Sequence, residues 1–587
     1  MKCINIKKIY LLPLVFIMTA AFSLSSDAFG QSVDQIYKAA GTPATPKVEV
    51  HWNRYYDFGG VTEICRKLAE AHPSLATLES IGESYEGREI WLLTITNLDN
   101  KPHREKPGFW IDGNIHANEI QGTEIALYTA WYLLENYGKN EFITNLLDEK
   151  VFYIAPTINP DGRDNHMYEP NTGSSPRSGT IPLDDTGDGV AAGDPYDDLN
   201  DDGHITQMRR RTPLGQYREC PEDPRRMVRV GPGERGEFEL LGLEGKDSNL
   251  DGRVNSDGIG RYDPNRDWGW NWQPDHIQRG AYHYPFALPE NRAVRDFVVA
   301  HPNIAGAQTY HNMGGMILRG PGTSEDEQNM TFSDRNVYDA LGELGDKLLP
   351  GYRYLVLFED LYSVYGGQID WFHFGRGIYT FTNELFTRYL YFYEQYEDRE
   401  EAGKAPYQFD KHLLFEDAFV PWEEYDHPQF GKIEIGGFKK NFGRVHPGFL
   451  LETDAHRNMA FTLFHAYHTP QLEIHEVDVK DKGGGLKEIT AVIANSRIIP
   501  THSGIDLSRN IERPNYIALE GGEVLAGMRV LNRDLNVIEE QKTDSDVIEI
   551  DNIPGMGHVI VRWIVEGGRG YTIEVDSAKG GVVRKDF

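Results

Sequence analysis

Residues 108–137 read GFWIDGNIHANEIQGTEIALYTAWYLLENY. Gly108 to Asp112 is an apolar run that predicts a buried strand, and Ile120 to Tyr137 repeats apolar residues at the spacing of an amphipathic helix. The tetrapeptide HANE at 116–119 lies between them. A His and a Glu three positions apart, at the start of a helix, can converge on one metal ion. Such pairs also occur by chance, as His166–Glu169 does in this chain.

The alternation of strand and helix continues on both sides of this unit. Further strands are predicted at 75–81, 89–96, 151–157, 304–310 and 379–385, and further helices at 61–71, 290–301, 334–349 and 450–467. This order predicts an α/β domain over residues 50–467, with a mixed, mainly parallel twisted sheet and helices on both faces.

Two other regions differ in residue composition and periodicity. Residues 161–262 are rich in Gly, Asp, Asn and Arg and have little periodicity, which predicts a long, acidic insertion made of loops. Past Pro470, short alternating segments are separated by Gly, Asp and Asn turns, with no helix pattern. Residues 470–587 are therefore predicted to form a separate, smaller all-β sandwich.

Length and charge restrict the class of protein. A chain of 587 residues is too long for one ordinary core, so at least two domains are expected. The net charge of −31 argues against a nucleic-acid partner, which requires a positive surface. Beyond the N-terminal segment only Cys65 and Cys220 remain. They allow one disulfide and exclude a cysteine-rich structural zinc site.

The N-terminus has the pattern of a signal peptide. Basic residues at positions 2, 7 and 8 precede an apolar run over 9–24, and Ala28-Phe29-Gly30 supplies the small residues expected before a cleavage site. We predict cleavage near Gly30, a short lead-in over 31–49, and a secreted or periplasmic protein. The alternative is a membrane anchor, but the run is short for a span. No later segment has 18 consecutive apolar residues, so no stable membrane span is expected after cleavage.

Three further positions are candidates for chemistry. His311 ends a predicted strand, where a third metal ligand would be expected, although a single histidine there is more often structural. Glu384 ends another buried strand, and a carboxylate in that position is costly unless it is paired or used. The pair Asn265-Arg266 offers a planar fork and an amide for a carboxylate ligand; the alternative is a solvated surface turn.

In combination these motifs are specific. The order H-x-x-E, D-x-N-R, H, then Tyr362 followed by Gly-Gly and Ile-Asp-Trp, and finally Glu384, resembles the zinc carboxypeptidases of the carboxypeptidase A type. In that family the Tyr and the Glu are separated by the same 22 positions as Tyr362 and Glu384. Residues 81–88 and 159–162 are also similar to the family. The resemblance covers roughly residues 50–465, apart from the insertion.

The resemblance implies a role for each matching residue. One zinc ion per chain would be bound by His116, Glu119 and His311, and Asp263 would hydrogen-bond a ligating imidazole. Asn265, Arg266 and Tyr362 would bind the substrate's terminal carboxylate, and Glu384 would assist attack by zinc-bound water as general base. An additional Arg that polarises the scissile carbonyl is expected among residues 209–211, and we favour Arg209.

Two positions bear on substrate preference. Ile369 matches the base of the family's side-chain pocket, which implies neutral or apolar C-terminal residues rather than basic ones. Asn312-Met313 stands where the carboxypeptidase A group has Ser-Tyr, so the subsites are expected to differ.

The insertion carries a second possible metal pattern. The segments beginning at Asp184, Asp198 and Asp247 each read D-x-[TN]-x-D-G, like the first half of a calcium loop, but all lack the Glu expected at the twelfth position. They predict either structural Ca²⁺ or a set of Asp/Gly turns.

The expected activity is hydrolysis of the last peptide bond of peptides or proteins, which releases single residues. The same site in an exported protein also suits trimming of cell-wall muropeptides. A third alternative, from a different class, is a non-catalytic binding protein on this fold; it is disfavoured because the three ligands and the base are all present.

Overall fold

The computed structural model describes residues 39–43 and 45–587. The predicted signal peptide and its cleavage site lie outside the described residues. The chain divides into two units, residues 1–49 and 50–587, and the described part of the first contains turns and bends without a helix or strand. Among the described residues, none of the helices has both the length and the apolar character needed to cross a membrane.

The larger unit begins with the α/β region. Its strands are β1 (Ala76–Glu83), β2 (Glu89–Ile95), β3 (Gly108–Gly113), β4 (Val151–Ala155), β5 (Gln207–Gly215), β6 (Tyr217–Glu219), β7 (Met227–Arg229), β8 (Gly236–Leu243), β9 (Ile304–Asn312), β10 (Met316–Arg319), β11 (Arg353–Val356), β12 (Tyr379–Leu385), β13 (Phe419–His427) and β14 (Gly431–Phe438).

The helices of the unit are α1 (Phe58–Ala71), α2 (Gln121–Asn136), α3 (Glu141–Glu149), α4 (Pro160–Tyr168), α5 (Pro289–Ala300), α6 (Phe332–Leu348), α7 (Gln368–Asp370), α8 (Tyr389–Phe392), α9 (Arg399–Phe409), α10 (Gly448–Tyr467) and α11 (Gly504–Arg509). Short 3₁₀ or π turns occur at His103–Glu105, Pro264–Arg266, Asp326–Asn329, Leu357–Leu361, Trp371–Gly375 and Asp410–Leu414.

Eight strands form the central sheet, in the order β1-β2-β4-β3-β9-β12-β10-β11. Its middle strands β4, β3, β9 and β12 run parallel, and antiparallel pairs flank them. The predicted mixed sheet with helices is confirmed. Since parallel strands end at one edge of a sheet, the residues that follow β3 meet the ends of β9 and β12 there.

Helix α2 is buried on every side, whereas its periodicity predicts an amphipathic helix with one exposed face. The reason is that α10 and α1 pack against it in addition to the sheet. Glu124 in its first turn lies within this interior and pairs with the buried Arg163, whose Nη2 is 2.6 Å from Oε1 of Glu124. The ion pair offsets part of the cost of burying this carboxylate, although burial still raises the pKa of Glu124 to about 7.

The prediction that 161–262 consists of loops was wrong. The segment contains α4 and strands β5 to β8, and these strands join β13 and β14 in a six-stranded antiparallel sheet, β13-β14-β5-β8-β6-β7. Cross-strand ion pairs explain why the pattern was missed: Arg210 pairs with Glu239 at 2.8 Å and Arg211 with Glu237 at 3.1 Å. Strand β5 has three consecutive arginines, Arg209 to Arg211, and the alternation in β8 is confined to Glu237 to Leu240, so the apolar pattern is too short to indicate a sheet.

The C-terminal region is all-β except for the short helix α11, which the residue pattern past Pro470 does not predict. Its strands are β15 (Leu472–Gly483), β16 (Leu486–Asn495), β17 (Asn515–Glu520), β18 (Glu523–Asn532), β19 (Val537–Gln541), β20 (Val547–Ile550), β21 (Gly557–Glu566), β22 (Thr572–Ser577) and β23 (Gly581–Asp586). They form a five-stranded and a four-stranded sheet, and side chains of both, including Ile489, Trp563, Ile517 and Ile573, share one buried core.

This β region packs on the α/β region through a buried cation. Nζ of Lys579 donates to the carbonyl oxygens of Arg376 and Gly377, each at 3.0 Å, and pairs with Asp506 at 2.8 Å.

Elsewhere in the larger unit, both Cys65 and Cys220 are buried free thiols, so the disulfide that the sequence allows is absent.

Candidate active site

Three side chains converge where β3 and β9 end. Oε2 of Glu119 lies 2.9 Å from Nδ1 of His116 and 2.9 Å from Nδ1 of His311, and the two imidazole nitrogens are 3.1 Å apart. All three residues are buried. The loop that presents His116 is held by Asn114, whose Nδ2 donates to the carbonyl oxygens of His116 and Ala117.

The orientation of His116 is set by Asp263. Nε2 of the imidazole is 2.8 Å from Oδ1 of Asp263, so the proton on Nε2 leaves Nδ1 free as a lone-pair donor towards the cluster. Burial acts to raise the pKa of Asp263, but the charges of Arg177, Arg266 and His116 outweigh it and hold the pKa well below its usual range. Asp263 is therefore an ionised acceptor.

The donor set fits a catalytic zinc ion. Two imidazole nitrogens and one carboxylate oxygen, all buried and within 4.8 Å of one another, are three ligands of the types that Zn²⁺ takes. Structural zinc sites close the coordination sphere with a fourth protein ligand, whereas catalytic sites leave that position open. The described residues supply three ligands at this cluster, which matches the catalytic type.

Glu384 lies beside the cluster. It is on β12, paired in register with His311 of β9. Burial and the neighbouring charge of Glu119 raise the pKa of the Glu384 carboxyl to about 7, while His311, Arg177 and Arg444 act to lower it. A carboxyl group with a pKa near neutrality can both accept and release a proton at physiological pH.

Arg209 is not brought to this cluster. Its guanidinium pairs with Glu219 at 2.9 Å and with Glu434 at 2.5 Å, and it stacks on the rings of Phe238 and Trp422 within the six-stranded sheet. It is absent from the residues that line the cavity beside the metal cluster. Arg209 lies on β5 of the six-stranded sheet. The sequence predicts loops over this segment, so it does not predict where Arg209 lies.

Two other arginines, and not Arg209, contact the cluster. Nη1 of Arg177 is 3.0 Å from Oε1 of Glu119 and its Nε is 2.9 Å from Oδ2 of Asp263. Nη2 of Arg444 is also 3.0 Å from Oε1 of Glu119. Both lie in segments without regular structure, so strand or helix periodicity provides no signal for them.

The predicted substrate-binding residues line one cavity with the cluster. Asn265, Arg266, Tyr362 and Ile369 surround it together with His116, His311, Arg177 and Glu384. Arg266 is buried, and its Nε has no hydrogen-bond partner among the described residues. A buried guanidinium with a free donor is a strong site for an anionic ligand. Tyr362 is 54% exposed, at the mouth of the cavity.

The rest of the cavity wall is apolar. Ile369 packs with the buried side chains of Leu318, Leu357 and Val364. Oδ1 of Asn265 accepts a hydrogen bond from the backbone N–H of Gln368 at 2.7 Å, which joins the Asn265-Arg266 segment to this wall.

Among the described residues, the Asp/Gly segments of the insertion provide one group of neighbouring carboxylates, mostly exposed, as a possible calcium site. The first Asp of each segment accepts hydrogen bonds from backbone N–H groups of its own turn, such as Asp184 from Gly187 and Gly189. Asp184, Asp188 and Asp257 approach one another, but two of the three are exposed. His166, of the chance H-x-x-E pair, bonds the carbonyl oxygen of Ser175 instead.

Comparison with known proteins agrees with this geometry. The profile of the zinc carboxypeptidase family matches residues 61–178 and 244–402, which include the metal cluster and Glu384. The chain contains a zinc carboxypeptidase domain. The resemblance noted from the sequence is thereby confirmed. A second profile, of a domain of unknown function, matches residues 471–587.

Curated relatives of the carboxypeptidase domain match over short segments. Carboxypeptidase D of Anas platyrhynchos is 39% identical over 111 residues, which are 19% of this chain and 8% of the relative. Carboxypeptidase M of Mus musculus is 33% identical over 109 residues, which are 19% of this chain and 25% of the relative. The inactive metallocarboxypeptidase ECM14 of Ajellomyces capsulatus (strain H143) is 33% identical over 123 residues, 21% of each chain. The chain thus spans a quarter or less of these relatives.

Among solved structures, carboxypeptidase A from Helicoverpa armigera is 17% identical, covers 68% of this chain and 79% of its own, and has a TM-score of 0.38. Bovine thrombin-activatable fibrinolysis inhibitor, in complex with tick carboxypeptidase inhibitor, is 17% identical. The match covers 71% of this chain and 98% of the inhibitor chain, with a TM-score of 0.38.

Proposed function

We propose that this protein is a zinc-dependent carboxypeptidase that releases single residues from the C-termini of peptides or proteins, with neutral or apolar terminal residues preferred. The observation that carries the proposal is the shared cavity. A carboxyl group with a pKa near 7, Glu384, and a buried guanidinium with a free donor, Arg266, line the same space as the His116 and His311 imidazoles.

The metal ligands in this proposal are His116, Glu119 and His311. Zinc, when bound, supplies a Lewis acid that polarises the scissile carbonyl and promotes ionisation of water. Asp263 fixes the tautomer of His116 through its 2.8 Å hydrogen bond, so that Nδ1 is available as a ligand.

Arg266, Asn265 and Tyr362 recognise the free carboxylate of the substrate. Arg266 offers its free Nε donor, and Tyr362, exposed at the mouth, is accessible to the ligand from solvent. The apolar wall at Ile369 then receives the terminal side chain, and burial of an aliphatic side chain is favourable there by about 1.5–3 kcal/mol.

Glu384 acts as the general base. Its carboxylate takes a proton from the attacking water and then delivers it to the nitrogen of the leaving amine, so that the carboxyl group is regenerated as carboxylate. Burial and Glu119 raise the pKa of this group to about 7, and the positive charge of a bound zinc ion would lower it, so the carboxylate is available as a base at neutral pH.

Arg177, rather than Arg209, is the residue we assign to the scissile carbonyl. It lines the cavity, and its contacts to Glu119 and Asp263 use Nη1 and Nε. Among the described residues, Nη2 has no hydrogen-bond partner and remains for the carbonyl oxygen, where negative charge develops during attack.

The test is hydrolysis of matched peptides by the zinc-loaded protein. Release of the terminal residue from a peptide with a free carboxylate, with no release from its C-terminal amide, supports the proposal. The readout is release of the terminal residue and not zinc binding alone, because the relative ECM14 is an inactive metallocarboxypeptidase. Cleavage of D-terminal but not L-terminal peptides would favour the muropeptide alternative, and binding without cleavage of any substrate would contradict an enzyme.

A further inference from the structure

Arg444 brings a guanidinium group to the metal cluster from outside the residues that the family profile matches. It lies in the segment 439–447 between β14 and α10, whereas the matched residues end at 402. Nη2 of Arg444 is 3.0 Å from Oε1 of Glu119, one of the three proposed ligands. The metal cluster of this chain therefore has a contact from a segment that the family profile does not cover.

The same nitrogen atom also contacts the strand that carries His311. Nη2 of Arg444 donates to the carbonyl oxygen of Asn312 at 2.7 Å, and Nδ2 of Asn312 donates in return to the carbonyl oxygen of Arg444 at 3.0 Å. Asn312 follows His311 directly and is the last residue of β9. Arg444 therefore joins the side chain of one proposed ligand to the backbone beside another.

Arg177 makes the complementary connection. Its Nη1 is 3.0 Å from the same Oε1 of Glu119, and its Nε is 2.9 Å from Oδ2 of Asp263, which orients His116. The two guanidinium groups thus connect Glu119 to the surroundings of both histidines. They hold Oε1, so Oε2 is the oxygen atom that faces the two imidazoles, each at 2.9 Å.

The segment that carries Arg444 is fixed near both of its ends. Nζ of Lys440 donates to two carbonyl oxygens at and just after the end of α4, at 3.0 and 2.6 Å. The backbone N–H of His446 donates to Oε1 of Gln121, the first residue of α2, at 3.1 Å. Only 16% of the Arg444 side chain is exposed. The guanidinium group is therefore held in place by the fold, as a preorganised site requires.

A purely stabilising role does not account for these contacts. Glu119 already has a cationic partner in Arg177, so a second guanidinium group is not needed to neutralise its charge. Nε of Arg444 is buried without a hydrogen-bond partner among the described residues, which is unfavourable for the fold. What Arg444 adds is the connection between Glu119 and the end of β9.

We propose that Arg444 is a positioning residue of the metal site, which holds Glu119 with Oε2 as its ligand atom and fixes its separation from His311. The inference rests on the proposed function and adds a residue to the same site. Ligands that are already in place lose little conformational freedom when zinc binds, so the affinity for zinc is higher. The charge of the guanidinium group acts in the opposite direction, because it repels a divalent cation.

These two effects predict opposite results for Arg444→Gln, in which the side chain is neutral and too short to reach the two acceptors. The measurement is the Kd for zinc, obtained by competition with a chelator on the metal-free protein. Positioning predicts that the Kd rises by about 10–100-fold, the effect of losing an outer-shell partner of a ligand. Zinc binding that is as tight as in the parent, or tighter, would leave only the effect of charge and would overturn the proposal.

Arg444→Lys separates the charge from the two contacts. Lys keeps the positive charge, but its side chain is shorter and its ammonium group does not reach both Glu119 and Asn312 from the same backbone position. We expect an affinity for zinc between those of the parent and Arg444→Gln. An affinity equal to that of the parent would show that a positive charge alone is sufficient, and the proposal would be wrong.

The visible absorption spectrum of bound Co²⁺ provides a second readout, because it depends on the number and arrangement of the ligand atoms. In Arg444→Gln the carboxylate of Glu119 loses one of the two groups that hold Oε1, so the spectrum is expected to differ from that of the parent. An identical spectrum would mean that Glu119 is held equally well without Arg444, against the proposal.

The matched control is Arg457→Gln. Arg457 is an exposed residue of α10, and its Nη1 donates to the carbonyl oxygen of Leu348 at 3.1 Å. Its zinc affinity and Co²⁺ spectrum should equal those of the parent. Urea unfolding of the metal-free proteins should give Arg444→Gln a midpoint close to that of the parent, because Glu119 keeps Arg177. If Arg444→Gln is too unstable for zinc binding to be measured, Arg444→Lys decides by the same comparison.

The results separate the role of Arg444 from the proposed function. Zinc binding by the parent without any loss in the variants overturns the role of Arg444 alone. Failure of the metal-free parent to bind zinc overturns the proposed function itself.

Discussion

His311 and Glu384 stand directly opposite each other on the adjacent parallel strands β9 and β12. His311 is a member of the metal cluster, and Glu384 lines the cavity that the cluster faces. Register therefore fixes the separation between a proposed metal ligand and the proposed base, since both lie on paired strands of the central sheet. A site built on strands holds its groups more accurately than one built on loops.

Glu384→Gln tests the proposed base. Gln has the same shape but cannot accept the proton of the attacking water, so we expect kcat to fall by about 10²–10⁴-fold. Zinc content, measured by metal analysis, should remain at the parent level because the three ligands are intact.

Glu239→Gln is the control for this variant, since Glu239 pairs with Arg210 on the six-stranded sheet, outside the cavity. Hydrolysis by Glu384→Gln at the parent rate would contradict the assignment of the base.

The paired variants Arg177→Ala and Arg209→Ala distinguish the two candidate arginines. Loss of a donor to the developing oxyanion should lower kcat by about 10²–10³-fold in Arg177→Ala. Arg209→Ala should keep its kcat but lose stability, by about 1–3 kcal/mol, because it leaves Glu219 and Glu434 without their partner.

Steady-state kinetics and denaturant unfolding measure the two effects separately, and metal analysis shows whether zinc is retained in Arg177→Ala. The reverse pattern, with activity lost only in Arg209→Ala, would restore the sequence-based choice.

The contrast between these arginines shows what the sequence can and cannot predict. Strands β9 and β12 are runs of buried residues with chemistry-bearing groups at their ends, so both the strands and the positions of His311 and Glu384 were visible in the sequence. Arg177 lies in a segment without periodicity, and its role follows only from distances to Glu119 and Asp263. Long-range contacts of that kind leave no local signal.

The same reason explains the errors in the fold. Strand β5 joins the sheet by pairing with β14, from a distant part of the chain. Three consecutive arginines interrupt the apolar alternation of β5, and that of β8 is only four residues long. Helix α2 was correctly placed, but its burial by α10 depends on a segment more than 300 residues away.

Activity is predicted to rise with pH across the weakly acidic range. Glu384 must be ionised to act as base, and burial together with Glu119 raises its pKa to about 7. Below that pKa the carboxyl group is protonated and kcat/KM falls as pH falls. A bound zinc ion adds positive charge and lowers the pKa, so the inflection of the zinc-loaded protein is expected below 7. A profile of kcat/KM that decreases from pH 5 to pH 7 would contradict this role.

The contribution of Asp370 to the free energy of unfolding is predicted to fall as pH rises, whereas activity rises. This residue is 2% exposed, and both oxygens of its carboxyl group accept from the backbone N–H of Gly322. Burial raises its pKa from 3.8 to about 8. Between these values the folded protein holds a proton that the unfolded chain releases, so the contribution of this group is fully present below pH 4 and is lost as pH rises to 8.

Asp370→Asn isolates this contribution, because Asn is neutral at every pH and keeps an oxygen for Gly322. With each pKa unit equivalent to about 1.4 kcal/mol, the parent should lose on the order of 2–5 kcal/mol more than the variant between pH 5 and pH 8. Urea unfolding of both proteins at the two pH values measures the difference. Equal losses in the two proteins would mean that Asp370 is ionised in the fold, and that Gly322 and its surroundings stabilise a buried charge instead.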